Sequence, residues 1–183
     1  MENDIERVII SEDEIKKMLD SLSKRLLEDY KEKDWTVIAV LNGSFVFLAD
    51  LIRLIPYPLR LDTISAETYG DSTVSKGDTV ILNTIRTDIE GRDVLIIDDI
   101  IDTGNTLSKV IEDIGRYKPK SLKCCVLLSR KDRRVKNVKI DYNCFEIGND
   151  YVVGYGLDYD NKYRNLPYIG ALKPKIFQKI HYE

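Results

Sequence analysis

Short apolar runs alternate along the chain with segments in which apolar residues recur at helical spacing. Three of the runs are continuous and are typical of parallel strands buried on both faces: residues 36–41, 94–97 and 122–128. Weaker patterns indicate two more strands, at residues 59–65 and 79–84. Strands that alternate with helices predict an α/β fold, a mostly parallel twisted sheet flanked by helices, with the ligand beyond the carboxyl ends of the strands.

Helical spacing follows two polar segments in the first third of the chain. Ser11 and Glu14 have the spacing of a capping box, and an amphipathic helix is expected over roughly residues 12–32. A second helix is expected from Phe45, directly after the turn Asn42-Gly43-Ser44. At the other end of the chain, residues 166–170 are expected to return as an edge strand.

The segment DVLIIDDIIDTGNTLSK, residues 93–109, joins a buried strand to an acidic tip, a tight turn and a helix. Asp98, Asp99 and Asp102 fall within five positions at the strand end. N–H groups and hydroxyls at a helix start attract an anion, whereas the acidic groups before it attract hydroxyls or a metal ion. Capping of the helix accounts for Asp102 or Thr103 but not for three carboxylates. The segment therefore predicts a site for a phosphorylated sugar.

Composition narrows the classes of function. The 183 residues suit a single domain, and 28 basic against 31 acidic residues give a net charge of −3, which argues against a nucleic-acid or membrane-surface binder. Cys124, Cys125 and Cys144 lack metal-ligand spacing and are expected to be free thiols in the cytoplasm. The single histidine, His181, leaves the chemistry to Asp, Thr, Gly, Arg and Lys.

The stretch VLIIDDIIDTGNTL resembles the phosphoribosyl-diphosphate (PRPP) motif of type I phosphoribosyltransferases, and Ile-Ile-Asp before Thr-Gly resembles their hypoxanthine-guanine branch. The resemblance extends from Leu41 to Gly170. It implies the fold of that family, with a small hood built from the terminal segments. It also implies transfer of the 5-phosphoribosyl group from PRPP to N9 of hypoxanthine or guanine, with Mg²⁺, by a homodimer or homotetramer.

For the sugar donor, the resemblance implies that Asp98 and Asp99 hold ribose hydroxyls and Mg²⁺. Asp102 would be the general base or acid at N7 of the purine. The 5′-phosphate would be held by the turn and the start of the helix, which comprise Thr103, Gly104, Asn105, Thr106 and Leu107. Pyrophosphate would lie against Arg164 and the loop Leu41, Asn42 and Gly43. The family usually has a basic residue where this chain has Asn42, so backbone N–H groups would hold the pyrophosphate.

For the purine, the resemblance implies that Tyr151 stacks on the base, that the main chain of Val152 reads its edge and that Asp158 contacts metal and base. A family lysine that contacts the exocyclic oxygen falls on Arg130, with Lys131 one residue later, and either side chain could donate. The polar segment at residues 66–78 is expected to be a lid that excludes water. Thr68 and Tyr69 match the family's closing loop.

Two alternatives stay open at this point. A regulator with the same fold could bind PRPP or a nucleotide without turnover, although it would need neither Asp102 nor an intact base segment. An enzyme of the same class could instead prefer xanthine, which depends on the residue at position 130.

Overall fold

A computed structural model describes residues 1–68 and 79–178, with the backbone alone for residues 67 and 68. Tyr69 of the predicted lid therefore lies outside the described residues, as does the side chain of Thr68. A short 3-10 turn, Glu2–Asp4, comes first. The strands are β1 Ile5–Ile10, β2 Trp35–Leu41, β3 Arg60–Thr68, β4 Thr79–Ile81, β5 Asp93–Ile101, β6 Ser121–Ser129, β7 Tyr142–Glu146, β8 Val152–Val153 and β9 Ile169–Leu172. The helices are α1 Glu12–Asp29, α2 Phe45–Ile52, α3 Asn105–Gly115 and α4 Pro174–Phe177.

The larger sheet has the strand order β4-β3-β2-β5-β6-β7, and all its pairs are parallel except β3 with β4. Alternate residues of its central strands enter two different cores. Ala39 and Ile97 point into the core that α1 and α2 cover, whereas Ile38 and Ile96 point into the core that α3 covers. This alternation explains why these strands are apolar throughout, and it confirms the predicted α/β fold.

A smaller antiparallel sheet joins distant parts of the chain in the order β1-β9-β8. Its apolar side, together with α4, forms a third core around Val153, Leu166 and Leu172. Because β9 lies between two other strands, the expectation of an edge strand at residues 166–170 is wrong. Pro167 precedes β9, where its missing N–H breaks no pairing.

Several element boundaries differ from those predicted. The capping box of α1 forms as expected, but the helix ends at Asp29, with Tyr30 as its C-cap. The strand that carries the carboxylates continues to Ile101, because Ile100 and Ile101 still pair with β6. Two strands were not predicted, β1 and β7. Within the described ranges, no helix is long and apolar enough to cross a membrane.

Candidate active site

The carboxyl ends of β2, β5 and β6 lie side by side, because these three strands are parallel neighbours. The loop after β2 contains Asn42 and Gly43, and the Leu41–Asn42 peptide bond is cis. The end of β5 contributes Asp98 and Asp99, and the residue directly after β6 is Arg130. Parallel pairing thus brings together three segments that the sequence singled out separately.

Asp98 and Asp99 occupy different environments although they are adjacent. Asp98 is only 4% exposed, and its Oδ1 accepts a hydrogen bond from the N–H of Asp99 at 2.9 Å. Burial and then the neighbouring charge of Asp99 raise the pKa of Asp98 well above its usual value. Burial also raises the pKa of Asp99, while the charge of Arg164 acts in the opposite direction. The pair therefore favours a proton or a cation close to it.

Gly43 allows the loop after β2 to lie directly against Asp99. A Cβ atom at position 43 would be 1.7 Å from Asp99 Oδ2, so any side chain there would displace the Asp99 carboxylate. On the other side, a Cβ atom at Gly156 would be 2.1 Å from the carbonyl oxygen of Gly43. The two glycines thus bring the β2 loop, the end of β5 and the C-terminal segment into van der Waals contact.

Hydrogen bonds to the main chain and to the hydroxyl of Thr103 hold the turn between β5 and α3 in place. The carbonyl oxygen of Thr103 accepts hydrogen bonds from the N–H groups of Val135 and Lys136 at 2.9 and 3.0 Å, and its hydroxyl accepts one from the N–H of Asn105 at 3.4 Å. Gly104 is the N-cap of α3 with φ 85°. The first turn of a helix directs its N–H groups toward the preceding loop, which suits an anion.

Asp102 faces two arginines. Its Oδ2 lies 3.2 Å from Nη1 of Arg133 and 3.5 Å from Nη1 of Arg130, whereas its buried Oδ1 has no hydrogen-bond partner among the described residues. The carboxylate therefore has one paired oxygen and one oxygen whose hydrogen-bonding capacity is unused.

Arg130 is 8% exposed and connects three parts of the site. Its Nε donates to the carbonyl oxygen of Gly148 at 3.1 Å, its Nη2 donates to that of Asp150, and its Nη1 faces Asp102. Burial lowers the pKa of Arg130, and the charge of Asp102 acts against that effect. Lys131 instead pairs with Glu146 at 2.6 Å on the exposed side of the loop. Of the two candidates for the purine oxygen, only Arg130 lies beside Asp102.

The C-terminal segment contributes a second ion pair and an aromatic ring. Arg164 Nη2 lies 2.8 Å from Asp158 Oδ1, and its Nη1 donates to the carbonyl oxygen of Gly156 at 2.8 Å. The ring of Tyr151 is partly exposed, and burial raises the pKa of its hydroxyl. The main-chain oxygen of Tyr151 accepts a hydrogen bond from the N–H of Leu172 at 2.8 Å, which fixes the segment to β9.

A cavity of about 280 Å³ lies between these groups, and it brings together side chains from β5, the loop after β6 and the C-terminal segment. Its lining residues are Asp99, Ile100, Asp102, Arg130, Arg133, Tyr151, Val152, Leu157 and Asp158. Larger cavities lie elsewhere, one of about 730 Å³ next to the C-terminal end of α1. That cavity is distant from the paired carboxylates, so size alone does not identify the site.

The predicted metal ligands do not form a preassembled cluster. Over residues 1–68 and 79–178, no group of three or more His, Cys, Asp or Glu side chains could hold a metal ion. Asp99 and Asp158 both line the cavity, whereas Asp98 is buried behind it. Magnesium sites often use one or two carboxylates together with substrate phosphates, and these two aspartates fit that arrangement.

Arg133 was not singled out as a site residue from the sequence. It belongs to a cluster of four basic residues around Asp132, a composition that more often indicates a solvated loop. Its position in the loop that follows a parallel strand was the signal that could have identified it. Which of the four side chains turns toward Asp102 depends on the loop conformation.

A protein-family model and sequence relatives both match most of this chain. The family model for the phosphoribosyl transferase domain matches residues 10–160. A hypoxanthine-guanine phosphoribosyltransferase of Bacillus subtilis is 46% identical over 178 residues, 97% of this chain and 99% of that protein. The bifunctional protein TilS/HprT of Listeria monocytogenes is 42% identical over 179 residues, 98% of this chain but 28% of that longer protein.

Solved structures agree with these sequence relatives. The crystal structure of a hypoxanthine phosphoribosyltransferase from Staphylococcus aureus superposes with a TM-score of 0.91 and 38% identity. That superposition covers 97% of this chain and 96% of the other.

Proposed function

Because this chain belongs to the phosphoribosyltransferase family, in the branch of the hypoxanthine-guanine enzymes, we propose that it transfers the 5-phosphoribosyl group of PRPP to N9 of hypoxanthine or guanine. The products are IMP or GMP and pyrophosphate. Phosphoribosyl transfer in purine salvage is the activity of this branch. The cavity lined by Asp99, Asp102, Arg130, Tyr151 and Asp158 supports the proposal, because residues assigned to the sugar and residues assigned to the base line the same cavity.

The base is proposed to lie against Tyr151 with its edge toward the main chain of Val152. In this position its N7–H can donate to the carboxylate of Asp102. The free hydrogen-bonding capacity of that carboxylate supports the assignment. Arg130 and Arg133 lie beside the other oxygen of this carboxylate and hold it in place. Arg130, rather than Lys131, is the proposed donor to the exocyclic oxygen.

The sugar donor is proposed to cross from the turn after β5 to the loop after β2. Thr103 to Leu107 hold the 5′-phosphate at the start of α3, and Asp99 holds the ribose hydroxyls. Leu41, Asn42 and Gly43 receive the pyrophosphate, with Arg164 beside them. Asp98 does not line the cavity, and its proposed role is to fix the main chain of Asp99 through a hydrogen bond.

Transfer breaks the bond between C1 of the ribose and the pyrophosphate oxygen and forms the bond between C1 and N9. The N7 proton passes to Asp102, whose negative charge also stabilises the cationic sugar. Asp99 and Asp158 would hold Mg²⁺ together with the substrate, and the ion supplies neutralisation of the departing pyrophosphate charge. Burial raises the pKa of Asp99, and this unfavourable burial of charge supports the need for a cation.

The experiment is an assay of nucleotide formation by the purified protein with PRPP, Mg²⁺ and each of hypoxanthine, guanine, xanthine and adenine. We expect turnover with hypoxanthine and guanine. Absence of turnover with all four bases, together with tight PRPP binding, would favour the regulator. Turnover with xanthine alone would show that the substrate base is xanthine and not hypoxanthine or guanine.

Asp102→Asn tests the assigned proton acceptor. It should lower kcat by about 100-fold or more while PRPP binding remains, because asparagine cannot take the proton. Unchanged kcat would remove Asp102 from the reaction. The homo-oligomeric state and the cytoplasmic location stay predictions, which size-exclusion chromatography and cell fractionation would test.

A further inference from the structure

The ring of Tyr151 is packed against the C-terminal helix. Its centroid lies 5.0 Å from that of Phe177 with an interplanar angle of 22°, which is a stacked arrangement. Tyr159 meets the same ring edge-on, at 5.6 Å and 89°. Tyr151 is therefore part of a cluster of three aromatic rings that come from three different segments.

The cavity identifies which face of Tyr151 remains available. Tyr151 lines the cavity together with Asp102 and Arg130, whereas Phe177 and Tyr159 do not line it. Phe177 therefore covers the face of the tyrosine ring that is turned away from the cavity. The opposite face is left for a ligand.

Phe177 is itself held by several contacts of α4. Pro174 occupies the first turn of this helix, and the preceding Lys173 donates from its N–H to the carbonyl oxygen of Asp4 at 2.9 Å. The hydroxyl of Tyr159 donates to the carbonyl oxygen of Ile176 at 3.4 Å. Ile176 and Phe177 both pack against the third core. The position of the phenyl ring is thus determined by the smaller sheet.

We propose that Phe177 is a positioning residue for the purine, and that it acts through Tyr151. Tyr151 is 41% exposed even with Phe177 in place. Without Phe177 its ring would sample more rotamers, and that freedom would be lost when the base stacks. Phe177 and Tyr159 fix the ring in one orientation before the base arrives. The inference rests on the proposed function, because it requires that a base stacks on Tyr151.

The test compares Phe177→Ala and Phe177→Leu with the control Lys175→Ala, which changes an exposed side chain of the same helix. We expect both changes at Phe177 to raise the KM for hypoxanthine by about three- to tenfold, the range of an aromatic pair. The KM for PRPP should stay within about twofold of wild type. Lys175→Ala should leave both constants unchanged, and thermal unfolding of each variant shows whether it is folded.

A double-mutant cycle with Tyr151→Ala separates action through Tyr151 from a general structural effect. In the Tyr151→Ala background, Phe177→Ala should cause no further rise in the KM for hypoxanthine, since the ring that it positions is absent. An additive rise would overturn the inference, as would an equal rise in the KM for PRPP or an equal effect of Lys175→Ala. Absence of turnover in the wild-type protein would instead overturn the proposed function, so the two failures are distinguishable.

Discussion

Asp98 shows how a single side chain can lower stability while it supports a site. Its carboxylate is buried beside Asp99, and both burial and the neighbouring charge raise its pKa, so the ionised form is disfavoured in the folded protein. The hydrogen bond that it accepts from the N–H of Asp99 fixes the main chain where the sugar is proposed to bind. Proteins commonly retain such unfavourable groups only where activity needs them.

Asp98→Asn should therefore stabilise the free protein and reduce its activity. Asparagine keeps an oxygen that can accept from the N–H of Asp99, but it removes the buried charge. We expect the unfolding temperature to rise by about 2–4 °C, which corresponds to about 1 kcal/mol for a chain of this size, and kcat/KM for PRPP to fall. Calorimetry and steady-state kinetics check the two effects. A less stable variant would show that the charge is compensated.

Arg130→Lys should weaken purine binding more than Arg133→Lys. Both arginines face Asp102, but only Arg130 also donates to the carbonyl oxygens of Gly148 and Asp150. A lysine cannot reproduce this fork of donors, so the segment that leads into Tyr151 would lose its anchor. We expect the KM for hypoxanthine to rise about tenfold in the first variant and by about threefold or less in the second. Equal effects would show that only the charge beside Asp102 matters.

Among the structural elements, β3 fixes the loop that precedes β5. Asp62 accepts hydrogen bonds from the N–H groups of Thr63, Arg86 and Thr87 at 2.7, 2.6 and 2.7 Å. Burial would raise the pKa of Asp62, but these N–H groups, with that of Thr87 first, outweigh burial and lower it. The chain between β4 and β5 is thereby tied to the sheet.

This lowered pKa predicts a pH dependence of stability. The carboxylate favours the folded state above its unfolded pKa, and that contribution is lost as the pH falls through the lowered folded pKa. Asp62→Asn should reduce the unfolding temperature by about 2–4 °C near pH 7 and have less effect near pH 3. Asp88→Asn is the control, because Asp88 is an exposed carboxylate in the same loop. A loss that is equal at both pH values would assign the effect to packing.

How far the sequence predicts the structure depends on whether the signal is local. The capping box of α1, the buried strands β2, β5 and β6 and the turn before α3 all follow from neighbouring residues, and the structure confirms them. The expected edge strand is wrong because a strand's place in a sheet depends on its partners, and β1 was not predicted. The contacts of Arg130 and Arg133 with Asp102 were equally inaccessible, since they depend on the conformation of a distant loop.

For the whole molecule, we expect stability to be independent of a bound metal ion. Since no group of three potential ligand side chains comes together in residues 1–68 and 79–178, chelation by EDTA should leave the unfolding temperature unchanged. The same treatment should abolish nucleotide formation, because the ion is proposed to arrive with PRPP. Calorimetry and the assay, each with and without EDTA, check both statements. A fall of several degrees on chelation would reveal a structural ion.

The smaller sheet has a consequence for biosynthesis. Ile5 pairs with Leu172, and β8 is linked to β1 only through β9. All strands of the larger sheet precede β9 in the chain. On the ribosome, this sheet can therefore assemble before β9, the partner of β1, has been synthesised. Tyr151, which contacts Leu172 and Phe177, is therefore fixed in place only after residues 169–177 have emerged. A nascent chain arrested before that point would contain Tyr151, the proposed platform for the base, without the packing partners that hold its ring.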